Sequence, residues 1–263
     1  MSQILHITSR DNPALQRLRK LSQDSGAYRK LGSIWLEGDH LVRACLQRKY
    51  PVSLAVLTEA AAADPGLRLL GDAAPRQLIV PTALFKIISG LESPAQIGFE
   101  VPHDAEQVLT PGVDTVVLDR LQDAGNVGTI LRNAAAMGFH QVLALKGTAA
   151  LWSPKVLRAG MGAHFGLRLI EGLAPADLDA LQLTLVATSS YAKQQIHQLV
   201  LPSPCAWVMG HEGQGVQPDL MQRCTLTVGI PQPGGEESLN VGSAAAICLY
   251  ESARQRLTGL VAQ

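Results

Sequence analysis

The second half of this chain carries a row of short, almost wholly apolar segments, each parted from the next by polar or helix-forming residues. They are Thr115–Leu118, Gln141–Leu145, Leu167–Ile170, Leu183–Ala187, Ala206–Met209 and Leu226–Ile230. A strand apolar on both sides needs both faces covered, and intervening helices supply that cover. Helical spacing or composition is read over Asn126–Met137, Lys155–Met161 and 241–257. The pattern therefore predicts an α/β unit built on a parallel sheet.

The first hundred residues alternate in the same way. A helix is read over Asn12–Ser22, with Pro13 at its first position and Leu15, Leu18 and Leu21 at helical spacing. Strands follow at Ile34–Leu36, Val52–Leu57, Gln77–Val80 and Ile97–Val101. Between them lie helices through Leu41 to Leu46, over Glu59–Leu70 with a break near Pro65-Gly66, and over Pro81–Ile88. The stretch 102–112, PHDAEQVLTPG, is polar and without periodicity, so domains of 1–105 and 106–263 are expected.

Composition matters here for what it excludes. With 47% hydrophobic and 17% charged residues among 263, there is ample material for a core. No apolar run is long enough to span a bilayer, and the start has no charged-then-apolar leader, which makes a cytoplasmic location the expectation. The four cysteines, Cys45, Cys205, Cys224 and Cys248, are far apart, form no CxxC pair and have apolar neighbours. They read as buried, reduced thiols, and no metal site is expected. Net charge is zero, yet residues 1–50 hold nine basic against four acidic side chains, an excess of five. That local excess suits a phosphate-facing surface.

Three segments concentrate the chemistry. In the first, LQDAGNVGTILRNAAAMGF (121–139), a loop runs into a helix that places Asn126 and Arg132 six residues, about 9 Å of axial rise, apart. The second, AWVMGHEGQGV (206–216), takes an apolar strand into a glycine-rich turn around Glu212. Its amides could cradle an anion. It lacks both the helix placement of a dinucleotide fingerprint and the Gly-Lys-Ser/Thr of a P-loop. In the third, IPQPGGEESLNVGSAAAICLYE (230–251), prolines and glycines free main-chain groups just ahead of Ser238, Leu239 and Asn240, which lead into a small-residue helix. Read bare, Arg132 is as well explained by a surface salt bridge, and Lys155 and Arg158 by a solvated helix face.

Together these segments resemble the three motifs of the SpoU (TrmH-type) RNA ribose 2'-O-methyltransferases of the SPOUT superfamily. Two departures stand out: Ala124 where members usually carry Pro, and His211 where they usually carry Asn. His211 is read as a hydrogen-bonding replacement. The amino-terminal part, through Arg10, Asn12-Pro13, Arg29, Leu36-Glu37-Gly38 and Ser93-Pro94-Gln96-Gly98, is similar to the L30e-like RNA-binding domain that accompanies many members.

The resemblance implies an α/β knot (a deep trefoil knot) with a parallel sheet, a homodimer, and S-adenosyl-L-methionine as methyl donor to a ribose 2'-hydroxyl. Ribosomal RNA is the expected substrate, with a guanosine of 23S rRNA the first nucleotide to try. Transfer RNA methylation, or an inactive RNA-binding protein of the same fold, are the alternatives. Site residues carried over are Asn126, Arg132, Glu212, Ser238 and Asn240 for catalysis. Met209, Gly210, Gly213, Ile230, Pro231, Ser238 and Leu239 are carried over for the cofactor, and Arg10, Arg29, Lys155 and Arg158 for RNA. A guanidinium stays protonated in proteins, so Arg132 is assigned to clamping a phosphate and stabilising charge on oxygen. Ser238 and Asn240 would orient the ribose or relay a proton, and Glu212 would organise Arg132 or its loop.

Overall fold

The structure, a computed structural model, describes residues 3–235 and 238–260. It divides into two compact units, one running to Glu106 and taking in Trp152–Phe165, the other made of Gln107–Leu151 and the remainder from Gly166.

In the first unit the elements are β1 (Gln3–His6), α1 (Pro13–Gln23), α2 (Ala27–Leu31), β2 (Ser33–Glu37), α3 (Asp39–Gln47) and β3 (Leu54–Thr58). They continue with α4 (Glu59–Ala63), α5 (Pro65–Gly71), β4 (Arg76–Val80), α6 (Thr82–Ile88) and β5 (Ile97–Pro102). The sheet order is β1-β4-β3-β5-β2, with β5 antiparallel to both β3 and β2 and the other pairs parallel. Asn12 caps α1 by accepting the Ala14 amide at 2.9 Å, and Pro13 occupies the first turn as expected. Asp64 both ends α4 and caps α5, which explains the break read at Pro65. β1 and α2 had no counterpart in the sequence reading. β1 is a sheet-edge strand with all four residues exposed, so it shows no burial pattern.

Glu37 draws two of the resembling segments together. Its carboxylate, largely buried at the end of β2, accepts the Ser89 hydroxyl, the Gly90 amide at 2.9 Å and the Ala95 amide at 3.4 Å. It thus pins the 89–95 turn that leads into β5.

The segment 152–165 was expected in the carboxy-terminal domain but packs with the first unit. The Trp152 ring lies 6.3 Å from Tyr50, 6.2 Å from His103 and 5.0 Å from His164. Gly162 approaches so closely that a Cβ there would lie 2.4 Å from that of Ala44. Sequence adjacency to the catalytic motifs hid this, because aromatic packing over a hundred residues of separation leaves no local signature.

The second unit holds β6 (Thr115–Leu118), α7 (Ala124–Ala136), β7 (Gln141–Leu145), β8 (Arg168–Leu173), β9 (Thr184–Thr188) and β10 (Cys205–Met209). It closes with α9 (Pro218–Arg223), β11 (Leu226–Val228) and α10 (Val241–Leu257), while α8 (Pro154–Gly160) lies in the first unit. All six strands are parallel, in the order β11-β9-β10-β6-β7-β8. Alternate residues of β10 serve opposite faces. Ala206 and Val208 join a core with Val117, Leu143, Leu178, Leu181 and Leu220, while Trp207 turns to α10, where its indole N–H donates to the Ser252 hydroxyl at 2.9 Å. Burial pushes the Cys45 and Cys205 thiols up to about 12, which keeps them protonated and unreactive.

Gly98 supplies a test of the first core. A Cβ there would meet the Trp35 ring at 2.3 Å and the Leu36 carbonyl oxygen at 2.8 Å. Gly98→Ala is expected to cost about 1–3 kcal/mol by overpacking. Thermal unfolding followed by circular dichroism checks this, and the cost should shrink in a Trp35→Leu background, where the obstructing ring is gone.

Candidate active site

Within the six-stranded sheet the chain leaves β6 through α7 toward β7 on one side. It leaves β10 through α9 toward β11, beyond β9, on the other. Neighbouring parallel strands whose connections diverge open a crevice outside their carboxyl ends. The loops after β6 (119–123) and after β10 (210–217) flank that crevice. The first two motifs thus meet because β6 and β10 are register partners, Leu118 beside Met209.

Asp119, at the end of β6, is completely buried. Its amide donates to the Met209 carbonyl at 2.8 Å. Its carboxylate accepts the Gln217 amide at 2.7 Å, the Gln217 side chain at 3.0 Å and Arg120 Nε at 3.0 Å. A buried charge is tolerable only with such pairing. The sequence reading missed both Asp119 and Arg120. The available signal for the first was a lone carboxylate at the end of an apolar strand.

Helix α7 starts at Ala124, two residues earlier than expected, because the Asp123 side chain accepts the Asn126 amide at 2.7 Å and caps it. Asn126 therefore stands in the first turn. Its side-chain NH2 donates to Glu212 Oε1 at 3.2 Å, and its Oδ1 accepts from Asn240 Nδ2 at 2.9 Å. Glu212 also accepts the amides of Asp123 at 3.2 Å and Gln122 at 3.4 Å. Asn240 in turn caps α10, accepting the amides of Gly242 at 2.9 Å and Ser243 at 3.2 Å. Asn126, Glu212 and Asn240, one from each motif, thus form a single hydrogen-bonded chain, and all of them are solvent-accessible.

Desolvation alone would raise the Glu212 pKa. Hydrogen bonds from its own amide, from the Asn126 side chain and from the Asp123 and Gln122 amides outweigh that, and the carboxyl sits below its usual value of 4.5. At neutral pH it is a carboxylate. It organises the 122–126 turn and makes no ion pair with Arg132 among the described residues.

Arg132 and Ser238 stand apart from this chain. Both are exposed, and among the described residues neither has a hydrogen-bond or ionic partner. The Arg132 guanidinium is therefore available to a ligand. Glu236 and Glu237 of the loop ahead of Ser238 lie outside the described residues.

The residues assigned to a cofactor occupy loops at the same edge of the sheet. Gly210 follows buried Met209, and a Cβ at 210 would lie 2.3 Å from the Val216 amide nitrogen, so only glycine fits. His211 accepts the amides of Gly213 at 3.0 Å and Gln214 at 3.3 Å through Nδ1, a bond an asparagine oxygen can equally make. Its role is thus the expected hydrogen-bonding replacement. After β11, the Gly229 amide donates to the Gln194 carbonyl at 2.8 Å, and Ile230 and Pro231 follow beyond the carboxyl end of that strand. Ile230 is half-buried, while Pro231, Gly213 and Leu239 are exposed. Gln232 Oε1 is buried and has no hydrogen-bond partner among the described residues. Free main chain, apolar side chains and a spare acceptor fit a nucleoside-bearing cofactor. Among the described residues no group of three His, Cys, Asp or Glu side chains could hold a metal ion.

The residues expected to meet RNA all belong to the first unit. Arg10, Arg29 and Lys155 are exposed and Arg158 half-buried, with the Arg29 guanidinium 4.9 Å over the Tyr28 ring.

Comparison with known proteins agrees with this geometry. A model of the SpoU rRNA Methylase family matches residues 114–250. An uncharacterized tRNA/rRNA methyltransferase of Synechocystis sp. is 32% identical over 263 residues, 97% of this chain and 96% of its own. The 23S rRNA (guanosine-2'-O-)-methyltransferase RlmB of Bordetella pertussis is 32% identical over 238 residues, 84% of this chain and 97% of its own. The solved structure of an AdoMet-bound rRNA methyltransferase from Sinorhizobium meliloti superposes with a TM-score of 0.83 at 25% identity, covering 97% of this chain and 99% of that one. With its three motif loops gathered at one sheet edge and the family match running over residues 114–250, which include all three, the chain belongs to the SpoU rRNA methylase family.

Proposed function

We propose that this protein transfers a methyl group from S-adenosyl-L-methionine to a ribose 2'-hydroxyl of ribosomal RNA, with a guanosine of 23S rRNA as the target. The observation that carries the proposal is the Glu212–Asn126–Asn240 chain at the divergence of β6 and β10, together with an exposed Arg132 that has no partner among the described residues. The nucleotide class rests on relatives such as the Bordetella pertussis guanosine methyltransferase.

When bound, the cofactor supplies a methyl on a sulfonium; the ribose oxygen gains that methyl, loses its proton, and S-adenosylhomocysteine remains. Met209, Gly210, Gly213, Ile230, Pro231, Ser238 and Leu239 would hold the cofactor, with Gln232 Oε1 offering its adenosine an acceptor. Asn126 and Asn240 are already fixed by their mutual bond and would orient the ribose. Ser238, free to turn, would meet the 2'-oxygen. Arg132 would clamp the adjacent phosphate and offset charge developing on oxygen.

The first unit would then act as an L30e-like substrate domain using Arg10, Arg29, Lys155 and Arg158. The second would be the knotted catalytic domain of a cytoplasmic homodimer. No described helix is long and apolar enough to cross a membrane. An exposed stripe on α10, Ile247, Tyr250 and Leu257, suits a subunit interface.

Mass spectrometric mapping of 2'-O-methyl nucleotides in ribosomal and transfer RNA, from cells with and without the gene, tests the function. The expected result is loss of one ribosomal methyl, restored by wild type and not by Arg132→Ala. Loss confined to transfer RNA would reassign the substrate, and no loss at all would refute the activity. In the purified enzyme Arg132→Ala should lower kcat by roughly 100-fold or more, the scale of a lost oxyanion donor. Arg132→Lys, without the fork geometry, should fall between the two. Stability of either should stay within about 0.5 kcal/mol of wild type, because the side chain is exposed and has no partner among the described residues.

Glu212 gives a pH prediction. Its carboxyl is depressed in the folded state, so its contribution to stability is present above the unfolded value and lost as pH falls through the folded one. The melting temperature of wild type should therefore exceed that of Glu212→Gln near neutrality, and the gap should close as pH drops below about 4.5, the usual value. A gap that stays constant across that range would show that the ionised carboxylate adds nothing to the turn.

A further inference from the structure

We infer that Arg120 is a positioning residue that holds the Glu212 loop in its working place; the inference rests on the activity proposed above. Arg120 follows the buried Asp119 at the mouth of the crevice and is one of few non-glycine residues with a positive φ, 58°. A side chain in that region costs free energy that glycine avoids, and such outliers gather where a site demands a particular geometry. The surroundings hold the conformation in place. The Arg120 amide donates to Thr148 Oγ1 at 3.1 Å, Thr148 Oγ1 donates to the Leu118 carbonyl at 3.0 Å, and Gly147 leaves room beside the Arg120 side chain.

The left-handed turn lets the guanidinium face two ways. Toward its own strand, Nε and Nη2 meet the Asp119 carboxylate at 3.0 and 3.4 Å. Toward the opposite loop, Nη1 donates to Gln214 Oε1 at 3.0 Å and Nη2 to the Gly215 carbonyl at 3.5 Å. Gly215 is itself bridged to His211 in both directions, at 3.0 and 2.8 Å, so Glu212 sits on a five-residue turn whose far end Arg120 holds. From that turn Glu212 reaches back to Gln122, Asp123 and Asn126. Beyond the Asp119–Gln217 bonds at the base of the second loop, Arg120 fastens the two motif loops in one direction and Glu212 in the other. Removing the Arg120 fastening loosens the 211–215 turn that carries Glu212. With four of its five N–H donors taken up inside the protein, the Arg120 side chain serves as a brace.

The test compares Arg120→Gly, which suits the positive φ and so removes the guanidinium without straining the backbone, with Arg120→Lys, which can reach one partner at a time. Amide hydrogen exchange reads the loop without any need for turnover. In Arg120→Gly, exchange at the Asp123 amide should rise roughly tenfold while Val142 in β7 stays as in wild type, with Arg120→Lys intermediate. Single-turnover methylation reads the consequence. Arg120→Gly should lose roughly tenfold in rate, and Arg120→Gly with Glu212→Gln should be no slower than Glu212→Gln alone, because residues acting through one another are not additive. Wild-type exchange at Asp123, or additive losses in the double variant, would overturn the inference. The expected exchange pattern in the variants, found alongside a wild-type protein that methylates no RNA, would sink the activity and leave the brace standing.

Discussion

The crevice depends on one buried carboxylate. Taking an ionised carboxyl out of water costs several kcal/mol unless its lone pairs are filled. Asp119 meets that demand with donors drawn from both sides of the divergence, Arg120 beside it and the amide and side chain of Gln217 across the gap. The charge is therefore satisfied only when the β6 and β10 loops lie together. What looks like a stability liability ties assembly of the site to folding of the sheet, since neither loop can leave without stranding the carboxylate.

A second set of contacts carries the third motif to the same place. Asn240 lies in the loop after β11, with β9 and β10 between that strand and β6, and arrives beside Asn126 only because α10 is fixed along its length. Near its start Asn133 of α7 donates to the Gly242 carbonyl at 3.3 Å, and at mid-length Ser252 accepts the Trp207 indole. Toward its end the Gln255 amide spans Leu199 and Leu201, and Arg256 pairs with Asp114 while donating to the Met137 carbonyl at 2.9 Å. Asn240 spends its side-chain oxygen on the helix amides and its nitrogen on Asn126. The N-cap that starts the helix is thus the residue that delivers it to the site, and one side chain does both because an amide has a donor and an acceptor to give.

Local chemistry made the strands and the closing helix legible. Buried parallel strands are apolar throughout, so β6, β7 and α10 were read with the same ends that the structure has. The motif residues were legible for a different reason, the resemblance, which named Asn126, Glu212 and Asn240 without showing that they bond to one another. Three things were out of reach. β1 is an exposed edge, the 152–165 segment joins the first unit through aromatic contacts remote in sequence, and Arg120 depends on a backbone angle that its residue type disfavours. Each is set by tertiary context, which overrides local preference. Of the roles considered for Glu212, the structure favours support of the loop, through amides that no motif could reveal.

The distribution of charge at the site bears on how a 2'-hydroxyl could be made reactive. The one carboxylate in the hydrogen-bonded chain, Glu212, is held below its usual pKa by donors that already occupy its oxygens. A base so stabilised is a weak one, because Brønsted behaviour rewards a pKa near the working pH. Arg132 cannot accept a proton at all. What the site offers instead is an exposed cation with no partner among the described residues and an amide pair, Asn126 and Asn240, held by their mutual bond. On the function proposed, such a site would lower the barrier by holding the oxygen in line and lowering the cost of negative charge on it, with the proton leaving to solvent or through Ser238 as the bond to carbon forms. Transfer from a sulfonium, itself a reactive donor, asks for position more than for a strong base. That demand matches the architecture, in which most of the polar groups around the crevice are spent on keeping three loops together.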